Sequence, residues 1–330
     1  MVTISPGLIQ GKRVLLRLDL DVSIIDGKIV DDFRLKAALP TLKLCLEGAQ
    51  EVIIMGHIGR PRLNRGRPQG KEGPSLSVAP IHNWLETQGF DGDLASDKLK
   101  LLENLRFEKG ESEADLDYAK QLAKLGDFFV NEAFAAHHPA ASTTVLPTLL
   151  PHCAGLRFAK EVEKLTQVRE NPTHPLVVII GGVKVEDKQP VINSMAKVAD
   201  AVLVGGKIAS DLKLAGSLPA NVFLGKLNES GEDLAPETTQ SWENIIKNAK
   251  MIVWNGPLGK VEDPKNDQTQ KVAQMVVDSG AQTIVGGGDT ITALDKWGLL
   301  DKFSFISTGG GAMLKFLAEG TLPTIEALND

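Results

Sequence analysis

Tyrosine occurs once and cysteine twice in the 330 residues. Cys45 and Cys153 are too few for a disulfide framework or a cysteine-based zinc site, and this usage fits a reducing compartment. Long hydrophobic runs are also missing. PLVVII at 175–180 is strand-sized, far below the ~20 residues of a membrane-spanning helix. The first residues, MVTISPGLIQGKR, hold no apolar core of a secretion signal, so a cytoplasmic protein without a membrane partner is expected. Lys and Arg number 36 against 42 Asp and Glu, for a net charge of −6. That acidic balance, with one Tyr and no Lys/Arg block, argues against nucleic acid as the main partner. Two familiar nucleotide signatures are absent as well. No G-x-x-x-x-G-K-[ST] occurs, since GGKIAS and QGKEG have the wrong spacing, and no G-x-G-x-x-G follows the first strand of either half.

Arginine is absent after Arg169, while lysine continues to Lys315. Arg clamps carboxylate and phosphate through a rigid fork, and Lys serves as a point charge on phosphate. The asymmetry has two readings. Either the first half grips a small anion while the second holds a nucleotide with Lys and backbone, or the bias is compositional chance on solvated surfaces.

What is present is rhythm. The length suggests two domains. Strand-like runs in the first half are RVLLRL (13–18), EVIIMG (51–56), KLLEN (100–104) and DFFVN (127–131). Helix-period stretches such as DFRLKAALPTLKLCLEGA and EADLDYAKQLAKLG lie between them. The second half repeats the pattern with strands at 175–182, 201–206, 220–225, 251–256, 282–288 and 303–307. Buried β-rich runs alternating with helices imply α/β architecture, two doubly wound parallel sheets covered on both faces. GLRFAKEVEKLTQVRENP (155–172) reads as one amphipathic helix stopped at Pro172 and suited to a hinge. RPRLNRGRPQGKEGPS (60–75) has Pro, Gly and charge without period and reads as a surface loop. The expected division is 1–154, the joining helix 155–172, and 173–318, with a tail at 319–330.

Ligands of open α/β sheets sit beyond the carboxyl ends of the strands. Four strands of the second half end in glycine clusters: Gly181-Gly182, Gly205-Gly206, Gly286-Gly287-Gly288 and Gly309-Gly310-Gly311. Two of these open helices, whose free N–H groups suit phosphate. The bland alternative is a set of tight strand-to-helix turns. GGVKVEDK places Lys184 and Lys188 just after a strand, on one face if the segment is helical. Asp289 opens a helix after a triple glycine, where a carboxylate either caps the helix or ligates Mg²⁺.

At these residues the chain resembles the phosphoglycerate kinase family. RLDLDV (17–22), DDFRL (31–35), GHIGRP (56–61), LENLRF (102–107), NEAF (131–134), GGVKVEDK (181–188), WNGPLG (254–259), GGGDT (286–290) and STGGGA (307–312) match its motifs in order. The resemblance implies two Rossmann-like domains joined by a hinge helix. The first would bind 3-phosphoglycerate or 1,3-bisphosphoglycerate, the second Mg²⁺ with ADP or ATP, and the tail LPTIEALND would return to the first. It further implies a glycolytic monomer that exchanges a phosphoryl group between 1,3-bisphosphoglycerate and ADP.

Carried over residue by residue, the resemblance makes Asp19, Asp21, Arg34, His57, Arg60, Arg106 and His138 the substrate-binding set. Arg34, Lys184 and the backbone N–H groups of Gly310 and Gly311 would stabilise the transferring group. Lys188, Glu262, Gly287, Gly288, Asp289 and Thr290 would hold the nucleotide, with Asp289 on the metal. The chain departs from the pattern at several points. Asp21 stands where the family usually has Asn, Pro139 where it has Arg, and Lys207 where glycine is common. The part between Gly206 and Asp233 is short. His137 or His138 would partly replace the missing arginine. These departures motivate two alternatives, a weakly active or non-catalytic nucleotide-binding homologue and a kinase for another small acyl phosphate.

Overall fold

The computed structural model describes residues 1–61, 76–213 and 218–329. The loop expected over 60–75 therefore lies, from residue 62 on, outside the described residues. The chain divides into two compact units, Met1–Val162 with Leu322–Asp330, and Glu163–Thr321.

The first unit runs α1 (Pro6–Ile9), β1 (Arg13–Arg17), β2 (Ile24–Ile25), β3 (Lys28–Ile29), α2 (Phe33–Gly48), β4 (Glu51–Met55), α3 (Ala79–Leu85), α4 (Asp91–Ala95), β5 (Leu99–Leu101), α5 (Lys109–Ser112), α6 (Leu116–Ala123), β6 (Phe128–Asn131) and β7 (His152–Ala154). Five strands form one parallel sheet in the order β5-β4-β1-β6-β7. Its central strands are apolar on both faces, and Val14, Leu15, Leu16, Ile54, Phe129 and Val130 are buried. Strand order reverses at β1, so the ends of β1 and β6 flank the switch point where such sheets bind ligands.

Three strands escaped the sequence pattern. The hairpin β2-β3 turns on Asp26-Gly27, both at positive φ (49° and 72°), the Asp-Gly signal of a two-residue turn. Strand β7 has only three residues, too few for a period to show.

Helix α7 (Leu156–Glu170) occupies nearly the expected span and contains the point of division between the units. Its first turn is capped from inside the first unit. The buried Glu132 carboxylate accepts hydrogen bonds from the N–H groups of Arg157 and Phe158, each at 3.0 Å. The Leu156 N–H goes to Thr41 Oγ1 at 2.9 Å.

The second unit continues with β8 (Leu176–Ile180), α8 (Val185–Met195), β9 (Ala201–Val204), α9 (Lys207–Lys213), β10 (Val222–Leu224), α10 (Pro236–Asn248), β11 (Met251–Asn255), α11 (Gln268–Asp278), β12 (Gln282–Gly286), α12 (Gly288–Lys296), β13 (Phe305–Ile306) and α13 (Gly310–Glu319). Six strands form a parallel sheet in the order β10-β9-β8-β11-β12-β13. Every residue of β8 and β11 is buried. The reversal here falls between β8 and β11, whose ends carry Gly181-Gly182 and Gly256-Pro257. The closing α14 (Pro323–Glu326) packs on residues 141–145 of the first unit, with Ile325 and Leu328 buried.

Candidate active-site residues

In the first unit, β1 ends on Arg17 and the segment leaving it supplies Asp19 and Asp21, while the segment leaving β4 supplies His57 and Arg60. Arg17 is 1% exposed. Its guanidinium donates to Ser142 Oγ at 2.9 Å, to the Leu18 carbonyl at 2.6 Å and to His57 Nδ1 at 2.8 Å. Glu111, also buried, lies 3.8 Å from it and accepts from the Ser142 hydroxyl and N–H. Burial lowers the Arg17 pKa, and Glu111 opposes that shift. Because guanidinium only donates, His57 Nδ1 must accept, which leaves the imidazole proton on Nε2. Burial, then the charges of Arg17, Arg106, Arg34 and Arg60, push the His57 pKa down to about 2.

Asp19 is 6% exposed, and its Oδ2 has no hydrogen-bond partner. The nearest cation is Arg34 Nε at 3.5 Å. Burial raises the Asp19 pKa, and Arg34 pulls it back. Arg34 stands in the first turn of α2 and donates to the Asp21 carbonyl at 2.8 Å. Asp21 accepts from the Gly59 N–H at 2.8 Å through Oδ1, and its Oδ2 lies 3.9 Å from His57 Nε2. Arg106 donates to the Gly59 carbonyl at 2.7 Å. Asn104 secures the same turn by donating to the Ile58 and Leu76 carbonyls. A cavity of about 530 Å³ is lined by Arg17, Asp21, His57, Arg60 and Arg106, together with Lys109, Glu111 and the segment 135–140. His138 and Pro139 are exposed, and the rings of His137 and His138 lie 4.2 Å apart.

So the structure gathers Asp21, His57, Arg60, Arg106 and His138 on one cavity, with Arg34 and Asp19 joined to it through Asp21. Sequence reasoning missed Arg17, Glu111, Ser142 and Lys109. Arg17 stood inside a quoted motif, but strand parity alone does not say that its side chain is buried against a serine 125 positions later.

In the second unit the glycine turns press backbone on backbone. A Cβ on Gly181 would lie 2.1 Å from the Pro257 carbonyl oxygen. One on Gly310 would lie 2.6 Å from the Gly287 Cα. Gly288 is exposed with nothing within 4 Å of the same position. The clusters therefore combine tight turns with at least one open approach.

Lys184 sits at the N-cap position of α8 with extended backbone (φ −96°, ψ 112°). It lies outside the helix, so the shared helical face expected for Lys184 and Lys188 does not form. Lys184 is exposed, and no hydrogen bond or ion pair holds its ammonium among the described residues. Lys188 donates to Asn255 Oδ1 at 2.6 Å, and Asn255 Nδ2 donates to the Gly310 carbonyl at 3.1 Å. Asn255, a residue the sequence did not single out beyond its place in WNGPLG, thus ties the ends of three segments together.

Asp289 is exposed in the first turn of α12, while Gly287 (φ 102°) takes the N-cap position. No hydrogen bond engages its carboxylate among the described residues, so the capping alternative is not realised. An exposed, uncommitted carboxylate oxygen pair beside a helix N-terminus fits a hard divalent cation that keeps water and phosphate as its other ligands. Thr290 is buried at 1% exposure, and its hydroxyl accepts from the Gly256 N–H at 3.1 Å. It braces the turn rather than facing solvent. Glu262 is exposed in the turn after Lys260, and Lys207 is exposed at the start of α9.

Two open parallel sheets, one ending in a basic cavity and the other in glycine turns at helix N-termini, define a two-unit α/β protein built to hold anionic ligands. The phosphoglycerate kinase family model matches residues 5–222 and 220–320. A phosphoglycerate kinase of Haemophilus influenzae (strain PittGG) is 35% identical over 376 residues, covering 97% of this chain and 96% of that protein. One of Herpetosiphon aurantiacus is 36% identical over 382 residues, covering 97% of each. Among solved structures, phosphoglycerate kinase from Coxiella burnetii superposes with a TM-score of 0.81 at 31% identity, over 99% of this chain and 98% of that one. The enzyme from Pyrococcus horikoshii OT3 gives 0.84 at 27% identity, over 100% and 98%.

The chain belongs to the phosphoglycerate kinase family, and is a phosphotransferase with a carboxyl group as acceptor. The alignments run over more positions than the 330 residues here, so the relatives carry residues without a counterpart. The family model breaks at 220–222, inside the segment that the sequence shows to be short.

Proposed function

We propose that this chain transfers a phosphoryl group reversibly between 1,3-bisphosphoglycerate and ADP, giving 3-phosphoglycerate and ATP, with Mg²⁺ on the nucleotide. The reading places it in glycolysis, as a cytoplasmic monomer. Family membership over nearly the whole chain carries it. The chemistry of the two strand-end regions supports it. No helix among the described residues is long and apolar enough to cross a membrane. Neither the non-catalytic homologue nor a kinase for another acyl phosphate gains support from the relatives.

Phosphoryl transfer needs positioning and charge neutralisation more than covalent chemistry. In the first unit, Arg60 and Arg106 offer cations to the triose anion. His57 offers a neutral Nε2–H donor. Asp19 Oδ2, which lacks a hydrogen-bond partner, accepts from the substrate hydroxyl. Arg34 is a half-buried guanidinium that balances charge on the transferring group. In the second unit, Lys184 has a free ammonium for the same oxygens. Gly310 and Gly311 begin a ten-residue helix and offer N–H groups. Lys188, Gly287 and Gly288 accommodate the nucleotide phosphates, Thr290 braces their turn and Glu262 reaches the ribose. Asp289 holds Mg²⁺, which supplies neutralisation of the phosphate charge when bound.

Coupled turnover of 3-phosphoglycerate with Mg-ATP tests the reading. Measurable turnover with this acid and none with other small carboxylates is the expected result. Nucleotide binding without turnover overturns it in favour of a non-catalytic homologue.

A further inference from the structure

The basic cavity of the first unit is poorer in usable positive charge than its arginines suggest. Among the described residues four cations line it: Arg17, Arg60, Arg106 and Lys109. Three carboxylates line it too: Asp21, Glu111 and Glu113. Arg17 is 1% exposed and committed to Ser142, Leu18 and His57 with Glu111 alongside, so it cannot turn to a ligand. Arg106 is held in place by the Gly59 carbonyl. His57 is neutral, as its hydrogen bond from Arg17 requires. The segment 135–140 adds two histidines and Pro139 but no permanent charge. Among the described cations lining this cavity, Arg60 and Lys109 are the exposed side chains able to swing.

Lys109 is the first residue of α5. Its ammonium pairs with Glu113 at 2.7 Å, and the two side chains are 68% and 54% exposed. A pair that exposed is held weakly, because water screens the charges and ordering two long side chains costs entropy. A doubly charged phosphate competes well against one carboxylate for a lysine, which acts as a mobile point charge. An anion with a charged group at each end draws on cations beyond those at the end of β4, and among the described residues of the lining Lys109 is an exposed one held only by a weak surface pair.

We propose that Lys109 sets the affinity for the three-carbon acid by leaving Glu113 and pairing with an anionic group of the substrate in this cavity. The inference rests on the function proposed above and deepens it, by assigning to Lys109 a cationic role that segment 135–140 does not fill. Glu113 acts as its competitor in the free enzyme. Lys109 does not touch the reacting atoms, so it governs binding rather than the chemical step.

The test is steady-state kinetics and calorimetric binding of 3-phosphoglycerate with K109A, K109R and E113Q. Turnover by the wild-type enzyme is measured first and judges the function itself; its absence overturns both readings. Given turnover, K109A raises the KM and Kd for the acid about fivefold to tenfold and leaves kcat within about twofold. K109R restores most of the affinity, and E113Q tightens binding. In the K109A background, P139R recovers the loss. A KM for K109A within twofold of wild type overturns the proposal. So does a K109R variant as weak as K109A, since a general disturbance of α5 would then explain both.

Discussion

Arg17 donates a hydrogen bond to His57 Nδ1 at 2.8 Å, and that one contact decides what the histidine can do. The donor cannot lose its proton at accessible pH, so Nδ1 stays an acceptor and Nε2 carries the hydrogen. His57 Nε2 faces Asp21 at 3.9 Å. We expect His57 to remain neutral, as the Nε2–H tautomer, from pH 5 to pH 8. Nitrogen chemical shifts of labelled histidine check this directly. A His57 titration near its ordinary value of 6.5 would show that Arg17 does not hold the ring.

How much of this was readable beforehand depends on range. Strands such as β8 and β11 are buried on both faces and leave a continuous apolar run, so local sequence suffices. The strand ends that carry the candidate site residues are legible for the same reason, because they follow the runs directly. Arg17 was not, because its meaning comes from Ser142 and Glu111, far along the chain. Asn255 was hidden in the same way, since its partners are Lys188 and Gly310. The Asp26-Gly27 hairpin carries a local signal of two residues, short beside the longer runs. The helical face expected for Lys184 and Lys188 failed because Lys184 precedes the first helical residue.

The glycine turns separate into two kinds, and substitution distinguishes them. Gly181→Ala puts a Cβ 2.1 Å from a carbonyl oxygen of Pro257, against backbone that cannot yield cheaply. We expect a loss of about 3 kcal/mol or more. Gly288→Ala meets nothing within 4 Å and should leave the melting temperature nearly unchanged. If Gly288 approaches phosphate, the same variant weakens nucleotide binding severalfold. Calorimetry on both proteins tests the pair. Equal stability losses, or an unaffected nucleotide Kd for Gly288→Ala, would contradict this division.

Lys184 is exposed at the N-cap position of α8, and no hydrogen bond or ion pair holds its ammonium among the described residues. Lys184→Ala should lower kcat by about a hundredfold or more, in the range seen when one electrostatic stabiliser of a transition state is removed. Nucleotide Kd should shift by less than about threefold. Parallel losses in kcat and in binding would mean that Lys184 acts on the ground state.

Asp21 places a carboxylate on a cavity proposed to bind anions, and its Oδ1 accepts from the Gly59 N–H at 2.8 Å. An asparagine keeps that acceptor and removes the charge. Asp21→Asn should therefore lower the KM for 3-phosphoglycerate by about fivefold, the effect of roughly 1 kcal/mol between partly solvated charges. The gain should shrink as salt is added. An unchanged or higher KM at low salt would show that Asp21 receives a substrate proton donor instead of repelling the anion.

Glu132 gives the fold a pH dependence of unusual sign. Its carboxyl is 3% exposed beneath the first turn of α7, with Thr41, Arg157 and Phe158 donating to it. Burial pushes its pKa up to about 7 from an ordinary 4.5, although those hydrogen bonds and the Arg157 charge work the other way. Below pH 4.5 the group is protonated in both states and contributes no slope. Between 4.5 and 7 the folded form holds a proton that the unfolded chain has released, so stability falls as pH rises. Above 7 both are ionised and the loss levels off. The full drop is about 3 kcal/mol. Gln at this position cannot ionise, and its amide nitrogen faces one backbone N–H that the carboxylate had accepted. Glu132→Gln should be less stable than wild type at pH 5, and the gap should narrow or reverse by pH 7.5. Urea unfolding of both proteins at the two values measures it. Stability curves that stay parallel across this range would mean that the buried carboxylate is ionised throughout, its charge satisfied by the capping hydrogen bonds at the start of α7.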